Sequence, residues 1–258
     1  MPLDLPQLWR EHWLLLGSGA NLICVYCGED VEEHLATEDH VIARSWYPSS
    51  ALSQPKWKAP SCFTCNNRFS LIEDEVLRRL ALCINPRDPA LRKIVDNVKR
   101  SMDPRFGRTP ADQARRLSRR RAILADLKDG ISPSDRGVLP FFHRNFREGS
   151  RTGILIKGAD LEAIGAKWMR GIHFCQFGET VPAGAALGVH FVADDVARQA
   201  FSEIWGHGIR LHRGPGVQVA IFDAAEGEER STLYAFQLWH EFKLYGSIEI
   251  GGALEGGH

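Results

Sequence analysis

Two short stretches, Cys24-Val25-Tyr26-Cys27 and Cys62-Phe63-Thr64-Cys65, decide how the first third of the chain folds. A Cys-x-x-Cys turn points two thiolates to one side of a tight loop, and two such turns complete a tetrahedral Zn²⁺ site. Gly28 directly follows the first pair and fits that turn. One pair alone could be a redox motif. Two pairs with 34 residues between them favour a structural zinc site held by Cys24, Cys27, Cys62 and Cys65.

The segment enclosed by the two pairs contains Thr37-Glu38-Asp39-His40-Val41-Ile42. An adjacent Asp-His that leads into β-branched residues is what a strand bearing a metal ligand and a base would look like. Because neighbouring side chains of a strand point to opposite faces, we expect a local bend to bring Asp39 and His40 into one site. His40 alone would be read as a structural histidine, but its position beside Asp39 and between two zinc pairs favours a functional role.

The second cysteine pair opens a predicted helix. Its apolar stripe consists of Phe69, Ile72, Val76, Leu80 and Cys83. Asn66, Ser70 and Glu73 form a second line at i, i+4 and i+7, so they could face a site together. Glu73 is therefore a candidate additional metal ligand, or a partner of one. The alternative reading of Glu73 and its acidic neighbours is a solvated helix face.

Taken in order, Cys24-x-x-Cys27, Asp39-His40-Val41-Ile42 and Cys62-x-x-Cys65-Asn66-Asn67 resemble the HNH, or ββα-metal, endonucleases. The resemblance covers about residues 22–83 and is to the branch with a zinc knuckle and Asn in the last motif position. It implies that Asp39 and Asn66 ligate a catalytic Mg²⁺ or Mn²⁺, for which an amide oxygen is a suitable ligand. It also implies that His40 is the general base that takes a proton from the attacking water.

The chain departs from the family pattern at one motif position. The family's middle Asn, which orients the base histidine, should lie shortly before Cys62, but residues 54–61 contain no Asn. Either a backbone carbonyl or another side chain orients His40, or activity is impaired. Ala43 also stands where a proline often follows the Asp-His pair, which is a minor change.

Basic residues are concentrated in one segment, although the formal net charge of the chain is zero. Residues 91–121 hold eleven Lys and Arg against three Asp, a net of +8. Within it, Arg115, Arg116, Arg119 and Arg120 form adjacent i, i+4 rows on one predicted helix. Contact with a phosphate backbone and contact with an acidic surface of this same protein both explain such a cluster. Arg44 and Arg68 flank the proposed site and are better placed to clamp phosphate.

These patterns predict an α+β protein with three regions. Residues 1–84 form a zinc-stapled HNH nuclease domain, and residues 85–135 a basic helical connector with a helix that begins near Thr109. Residues 136–258 form a small α+β domain of unknown role, which could recognise substrate, dimerise or sense a ligand. Its elements are a helix at about 159–170, a helical segment at 193–205 and β-like runs at 186–192, 217–222, 232–238 and 242–250.

No apolar run approaches the ~20 residues that span a bilayer, and the N-terminus lacks a convincing secretory signal. We therefore expect a cytoplasmic protein without a membrane partner. Cys83 and Cys175 lie among apolar residues and are expected to be buried, inert thiols.

The function expected from the sequence is divalent-metal-dependent hydrolysis of phosphodiester bonds in nucleic acid, with DNA favoured over RNA and RNA left open, by a chain that could form a homodimer. The alternative, consistent with the missing middle Asn, is a non-catalytic zinc-knuckle module that binds nucleic acid or a protein partner.

Overall fold

The computed structural model describes residues 22–84, 88–129, 138–140, 152–192, 194–212, 216–226, 229–240 and 242–250. The first 21 residues of the predicted N-terminal region, both ends of the predicted connector and the Gly-rich end of the chain lie outside these ranges.

The N-terminal region is built from two small hairpins and one long helix. Strands β1 (Leu22–Ile23) and β2 (Asp30–Val31) pair antiparallel around the first cysteine turn. Strands β3 (Ala36–His40) and β4 (Lys58–Cys62) form the second antiparallel pair, and helix α1 (Phe63–Cys83) follows β4 without a loop. The apolar stripe predicted for α1 is confirmed, because Phe69, Val76, Leu80 and Cys83 are buried and Ile72 packs against the core.

Two basic helices, α2 (Arg92–Met102) and α3 (Pro110–Ala125), follow α1. The break between them is a 3₁₀ turn at Pro104–Phe106, which Asp103 caps by accepting from the amide of Arg105. Thr109 caps α3 in the same way by accepting from the amide of Asp112. The predicted helix start is thus confirmed, since Thr at the N-cap and Pro at the first helical position are both favoured.

The C-terminal region contains two sheets and two helices. Strands β5 (Leu127–Asp129), β6 (Val138–Pro140) and β7 (Thr152–Leu155) form a small antiparallel sheet in the order β5-β7-β6. Helices α4 (Gly158–Phe177) and α5 (Asp195–His207) come next, before and after the first strand of the larger sheet. That sheet is antiparallel in the order β8-β12-β11-β10-β9 and consists of β8 (Ala186–Phe191), β9 (Ile209–His212), β10 (Val217–Glu226), β11 (Glu229–Leu238) and β12 (Phe242–Ile250).

The larger sheet is covered on both faces. Ala220 and Ala235 pack with Phe201 and Ile204 of α5, whereas the alternating neighbours in β10 and β11 belong to the main core on the α4 side. Two-residue periodicity assigns neighbouring residues to opposite faces, which accounts for this division. Although α4 is 20 residues long and strongly buried, no helix in the described ranges is long and apolar enough to cross a membrane.

One hydrophobic core joins the N-terminal and C-terminal regions. The ring of Trp46 lies 5.2 Å from that of Trp168 in α4 and 5.7 Å from that of Trp239 after β11. The indole Nε1 of Trp239 donates to the carbonyl oxygen of Trp46 at 2.9 Å. Burial of three large aromatic rings at one place stabilises both regions together. Helix α4 is therefore part of the surroundings of the N-terminal strands.

The contact between α4 and the segment after β3 leaves no space for a side chain at Gly171. A Cβ atom there would lie 2.5 Å from Cγ1 of the fully buried Val41. We expect Gly171→Ala to lower the free energy of unfolding by about 1–3 kcal/mol, the usual cost of overpacking a core. Urea denaturation measures this. Gly206→Ala in α5, where nothing lies within 4 Å of the added Cβ, is the control and should be neutral or slightly stabilising. Equal stability of both variants would contradict the close packing.

Candidate metal centre and the cluster around Asp39

The sulfur atoms of Cys24, Cys27, Cys62 and Cys65 all lie within 4.8 Å of one another. In the first turn, the amide of Gly28 donates to the carbonyl of Cys24 at 2.8 Å, and Gly28 has a φ of 77° that favours glycine. In the second, the amide of Cys65 donates to the sulfur of Cys62 at 3.3 Å. Four thiolates around a tetrahedral Zn²⁺ would be about 3.8 Å apart, given Zn–S bonds of about 2.3 Å. The donor set and its spacing fit a structural metal such as zinc.

The cysteine environment disfavours some of the thiolates in the absence of a cation. Burial raises the pKa of Cys65 and, less strongly, that of Cys27. Burial also opposes ionisation of Cys24, but hydrogen bonds from nearby backbone amides, that of Cys62 first, outweigh it and lower the pKa of Cys24. A coordinated metal removes this conflict, because a thiol that ligates a metal is deprotonated outright. Within the described residues, no other group of three or more His, Cys, Asp and Glu side chains could hold a metal ion.

Asp39 lies on the face of β3 that is turned towards α1, and it is buried. Its Oδ2 atom accepts a hydrogen bond of 2.8 Å from the hydroxyl of Tyr26, and Lys167 Nζ lies 2.9 Å from the same oxygen. The Oδ1 atom of Asp39 accepts no hydrogen bond from any residue in the described ranges. One carboxylate oxygen is thus anchored to the protein, and the other is left for a further ligand.

Lys167 of α4 is fully buried at the centre of this cluster. Besides Asp39, its Nζ atom lies 2.9 Å from Glu73 Oε2 and donates to the carbonyl oxygen of His40 at 3.0 Å. The three N–H groups of the ammonium therefore match three acceptors, which is the condition under which a buried charge is tolerated. The contacts join α4 to the end of β3 and to the middle of α1.

Glu73 is buried, which contradicts the alternative reading of a solvated helix face for this residue. Its Oε1 atom accepts from the amide of Ala43 at 3.3 Å, and its other oxygen faces Lys167. Burial raises the pKa of Glu73 to about 7, although Lys167 pulls it down. Burial also raises the pKa of Tyr26, and the charge of Asp39 adds to that rise. Tyr26 is thus held in the neutral form that donates to Asp39.

Asn66, in the first turns of α1, lies beside β3. Its Nδ2 atom donates to Thr37 Oγ1 at 2.9 Å, and Thr37 Oγ1 in turn donates to the carbonyl oxygen of Ser61 at 3.0 Å. Thr37 Oγ1 also lies 2.9 Å from Ser61 Oγ. The Asn66 nitrogen faces Thr37, and no described residue donates a hydrogen bond to the Asn66 amide oxygen. Thr37 and Asp39 are two residues apart on one face of β3, about 6.6 Å along the strand. Asn66 therefore contacts the same face of β3 that carries Asp39.

His40 is the last residue of β3 and pairs in register with Lys58. Its side chain is half-buried, and no described residue hydrogen bonds its ring. Burial lowers the pKa of His40, and the positive charges of Lys58 and Arg44 lower it further. The segment before Cys62, which lacks the Asn expected from the HNH pattern, contributes the backbone of Trp57, whose carbonyl accepts from the amide of Val41 at 3.0 Å. That contact holds the chain after His40 and leaves the imidazole untouched.

The arginines predicted to bind nucleic acid fall into two groups. Arg44, four residues after β3, and Arg68, on α1, are both exposed, with the guanidinium of Arg68 5.4 Å from the centre of the Phe69 ring. Arg115 and Arg120 are also exposed on α3. In contrast, Arg116 binds Asp112 and Arg119 lies 3.9 Å from Asp74, so acidic partners within this chain meet part of the cluster.

Lys167 and Tyr26 are the members of this cluster that the sequence patterns did not single out. A signal for Lys167 exists, because it follows Ile164 by three residues on a helix whose Ile164, Trp168 and Ile172 are all buried. A lysine on such a stripe predicts a buried ion pair. Tyr26 lies inside the first Cys-x-x-Cys turn, and nothing in its neighbourhood marks its hydrogen bond to Asp39.

No family model matches the chain, and no similar protein was found among curated sequences or among solved structures.

Proposed function

We propose that the protein is a divalent-metal-dependent endonuclease of the HNH type, which hydrolyses phosphodiester bonds in nucleic acid, with DNA as the first substrate to test. One observation carries this proposal. In the β3–β4–α1 unit beside the cysteine cluster, Asp39 and His40 end the first strand and Asn66 lies in the helix, an arrangement that supports the ββα-metal assignment although the middle Asn of that motif is missing. Fold alone does not define an activity, so the proposal depends on these side chains.

The neutral imidazole of His40 takes the proton from the attacking water. This role is supported by the lowered pKa of His40, since the ring is then unprotonated at neutral pH and ready to accept a proton. The half-buried position at the end of β3 leaves the ring accessible. Lys167 and Tyr26 hold Asp39 by one oxygen, so that the orientation of its other oxygen is preset.

The oxygen atoms left open on Asp39 and Asn66 would hold the cation. Carboxylate and amide oxygens are ligands that suit Mg²⁺ or Mn²⁺. When bound, the ion supplies positive charge that binds the scissile phosphate and stabilises the leaving oxygen. Glu73 is the third candidate ligand, and its contact with Lys167 favours a role in fixing the ammonium instead.

The test is relaxation of supercoiled plasmid in Mg²⁺ or Mn²⁺ by the wild type, His40→Ala and His34→Ala. His34 is an exposed histidine six residues earlier, which makes it a matched control. We expect His40→Ala to lower the nicking rate by about 10²–10⁴-fold, the usual contribution of a general base, and His34→Ala to leave it unchanged. Equal rates for the wild type and His40→Ala would contradict the assignment of the base.

The second candidate is a non-catalytic zinc module that binds nucleic acid. The ion pair between Asp39 and the buried Lys167 favours it, because an ammonium already neutralises a carboxylate that a metal would use. The same plasmid assay decides between the two. If all three proteins leave the plasmid intact in both metals but still bind DNA, the module is the correct function.

A further inference from the structure

A cleft of about 300 Å³ opens beside the chain segment that follows β3. Arg44, Ser45, Tyr47, Ser49 and Leu52 line one side, and Lys93, Ile94 and Asn97 of α2 line the other. Arg44 follows His40 by four residues, so their Cα atoms are at most about 14 Å apart. This distance equals roughly four nucleotides of one strand, at about 3.4 Å per nucleotide. The cleft is thus close to the proposed catalytic residue.

The charged side chains of the cleft favour an anion, although its lining also includes Tyr47, Leu52 and Ile94. Two of its side chains, Arg44 and Lys93, are cations, the serines and Asn97 supply neutral hydrogen-bonding groups, and no carboxylate lines it. Within the described ranges, neither Arg44 nor Lys93 forms an ion pair, whereas the neighbouring Arg92 lies 4.0 Å from Asp96. Cations that lack an acidic partner in the protein are free to bind a phosphate group.

The positive charge continues from the cleft along α2. Lys93, Asn97 and Arg100 follow one another at i, i+4 and i+7, so they lie on one face of the helix, opposite the buried Val95 and Val98. The guanidinium of Arg100 lies 5.5 Å from the centre of the Phe106 ring. The side chain of Arg116 on α3 donates to the carbonyl oxygen of Arg100, which brings the cluster on α3 next to the end of this line.

We propose that Arg44, Lys93, Asn97 and Arg100 form a track for the phosphodiester backbone of a nucleic-acid strand, with one phosphate seated in the cleft. The track deepens the proposed nuclease function, on which its substrate class rests. It names Lys93, Asn97 and Arg100 as binding residues that the sequence patterns did not single out. The length of the track favours a strand over a single phosphate, since one phosphate reaches only the cleft.

Fluorescence anisotropy of a labelled 20-base-pair duplex tests the track, without added Mg²⁺ or Mn²⁺ so that binding is separated from hydrolysis. Lys93→Ala is compared with Lys99→Ala, which removes the same charge from an exposed position on α2, about 120° around the helix. We expect Lys93→Ala to weaken binding about threefold to tenfold and to lower the slope of log K against log salt by about one, as one lost phosphate contact does. Lys99→Ala should change the affinity by less than about twofold and leave the salt slope unchanged.

Arg44→Ala combined with Lys93→Ala should weaken binding by about 10- to 100-fold, because two contacts are lost. Inorganic phosphate at matched ionic strength should not displace the duplex. Equal losses in Lys93→Ala and Lys99→Ala, or displacement by millimolar phosphate alone, would overturn the track. The two proposals can fail separately. If the wild type nicks plasmid but Lys93→Ala and Lys99→Ala weaken binding equally, only the track is refuted. If Lys93→Ala alone weakens binding but the wild type does not nick plasmid, only the nuclease is refuted.

Discussion

Replacing Cys65 with serine should remove stoichiometric zinc from the purified protein and lower its thermal unfolding midpoint by about 10 °C or more. The four sulfurs lie within 4.8 Å of one another, and a closed tetrahedral site holds its metal poorly when one thiolate is lost. In small zinc-finger peptides, structural Zn²⁺ contributes about 10–16 kcal/mol of apparent binding free energy, which is also folding free energy. Because Cys24, Val25 and Tyr26 belong to the main core, the loss should spread beyond the turn itself.

Cys175→Ser is the matched control for this experiment. Cys175 lies on α4 and is not part of the cysteine cluster. Its thiol donates to the carbonyl oxygen of Lys58, a contact that a serine hydroxyl can reproduce. We expect full zinc content by elemental analysis and an almost unchanged midpoint for this variant. A Cys65→Ser protein with full zinc and wild-type stability would show that the cluster is not a metal site.

Replacing Lys167 with methionine should lower the free energy of unfolding by about 3–5 kcal/mol, the usual effect of removing one partner from a buried ion pair. The methionine preserves most of the side-chain volume but leaves Asp39 and Glu73 buried without their shared cation. Urea denaturation measures the loss. Lys157→Met at the exposed start of the same helix is the control and should be nearly neutral, because Lys157 forms no side-chain cap hydrogen bond.

A double variant separates lost charge from lost packing. Glu73→Gln in the Lys167→Met background removes one of the two unpaired carboxylates, and we expect it to restore part of the stability. In the wild-type background, the same substitution removes a partner of Lys167 and should destabilise. The coupling between the two positions should be about 0.5–3 kcal/mol. Additive effects would contradict the shared ion pair, as would a Lys167→Met protein as stable as Lys157→Met.

This ion pair also bears on the active site that we propose. Lys167 comes from α4, more than a hundred residues after Asp39, and also binds the backbone carbonyl of His40. The C-terminal region thus supplies a residue that fixes the end of β3. The sequence-based division at residues 84 and 135 does not coincide with a division of the core, because Trp46, Trp168 and Trp239 pack together across both boundaries.

Local features of the chain were predictable from the sequence alone. The spacing of Cys24, Cys27, Cys62 and Cys65 indicated one metal cluster, because each tight turn brings its own two thiols together. The α+β class, the N-cap at Thr109 and four of the five strands of the larger sheet followed from periodicity and capping residues, which act over a few neighbouring positions. The short edge strand β9 was not predicted. The resemblance to the HNH endonucleases implied two strands followed by a helix around Asp39, His40 and Asn66; the hairpin β3–β4 and helix α1 occupy these positions, and the nuclease assignment stays a proposal.

Only the tertiary structure decided what these side chains touch. Asp39 contacts Tyr26, 13 residues earlier, and Lys167, more than a hundred residues later, and the cleft is lined by Arg44 and by Lys93, about fifty residues apart. Strand and helix periodicity determine which face a residue occupies, but not which distant element covers that face. The packing of α4 against β4 and α1 makes that choice, because a buried carboxylate is stable only where a cation or a donor reaches it.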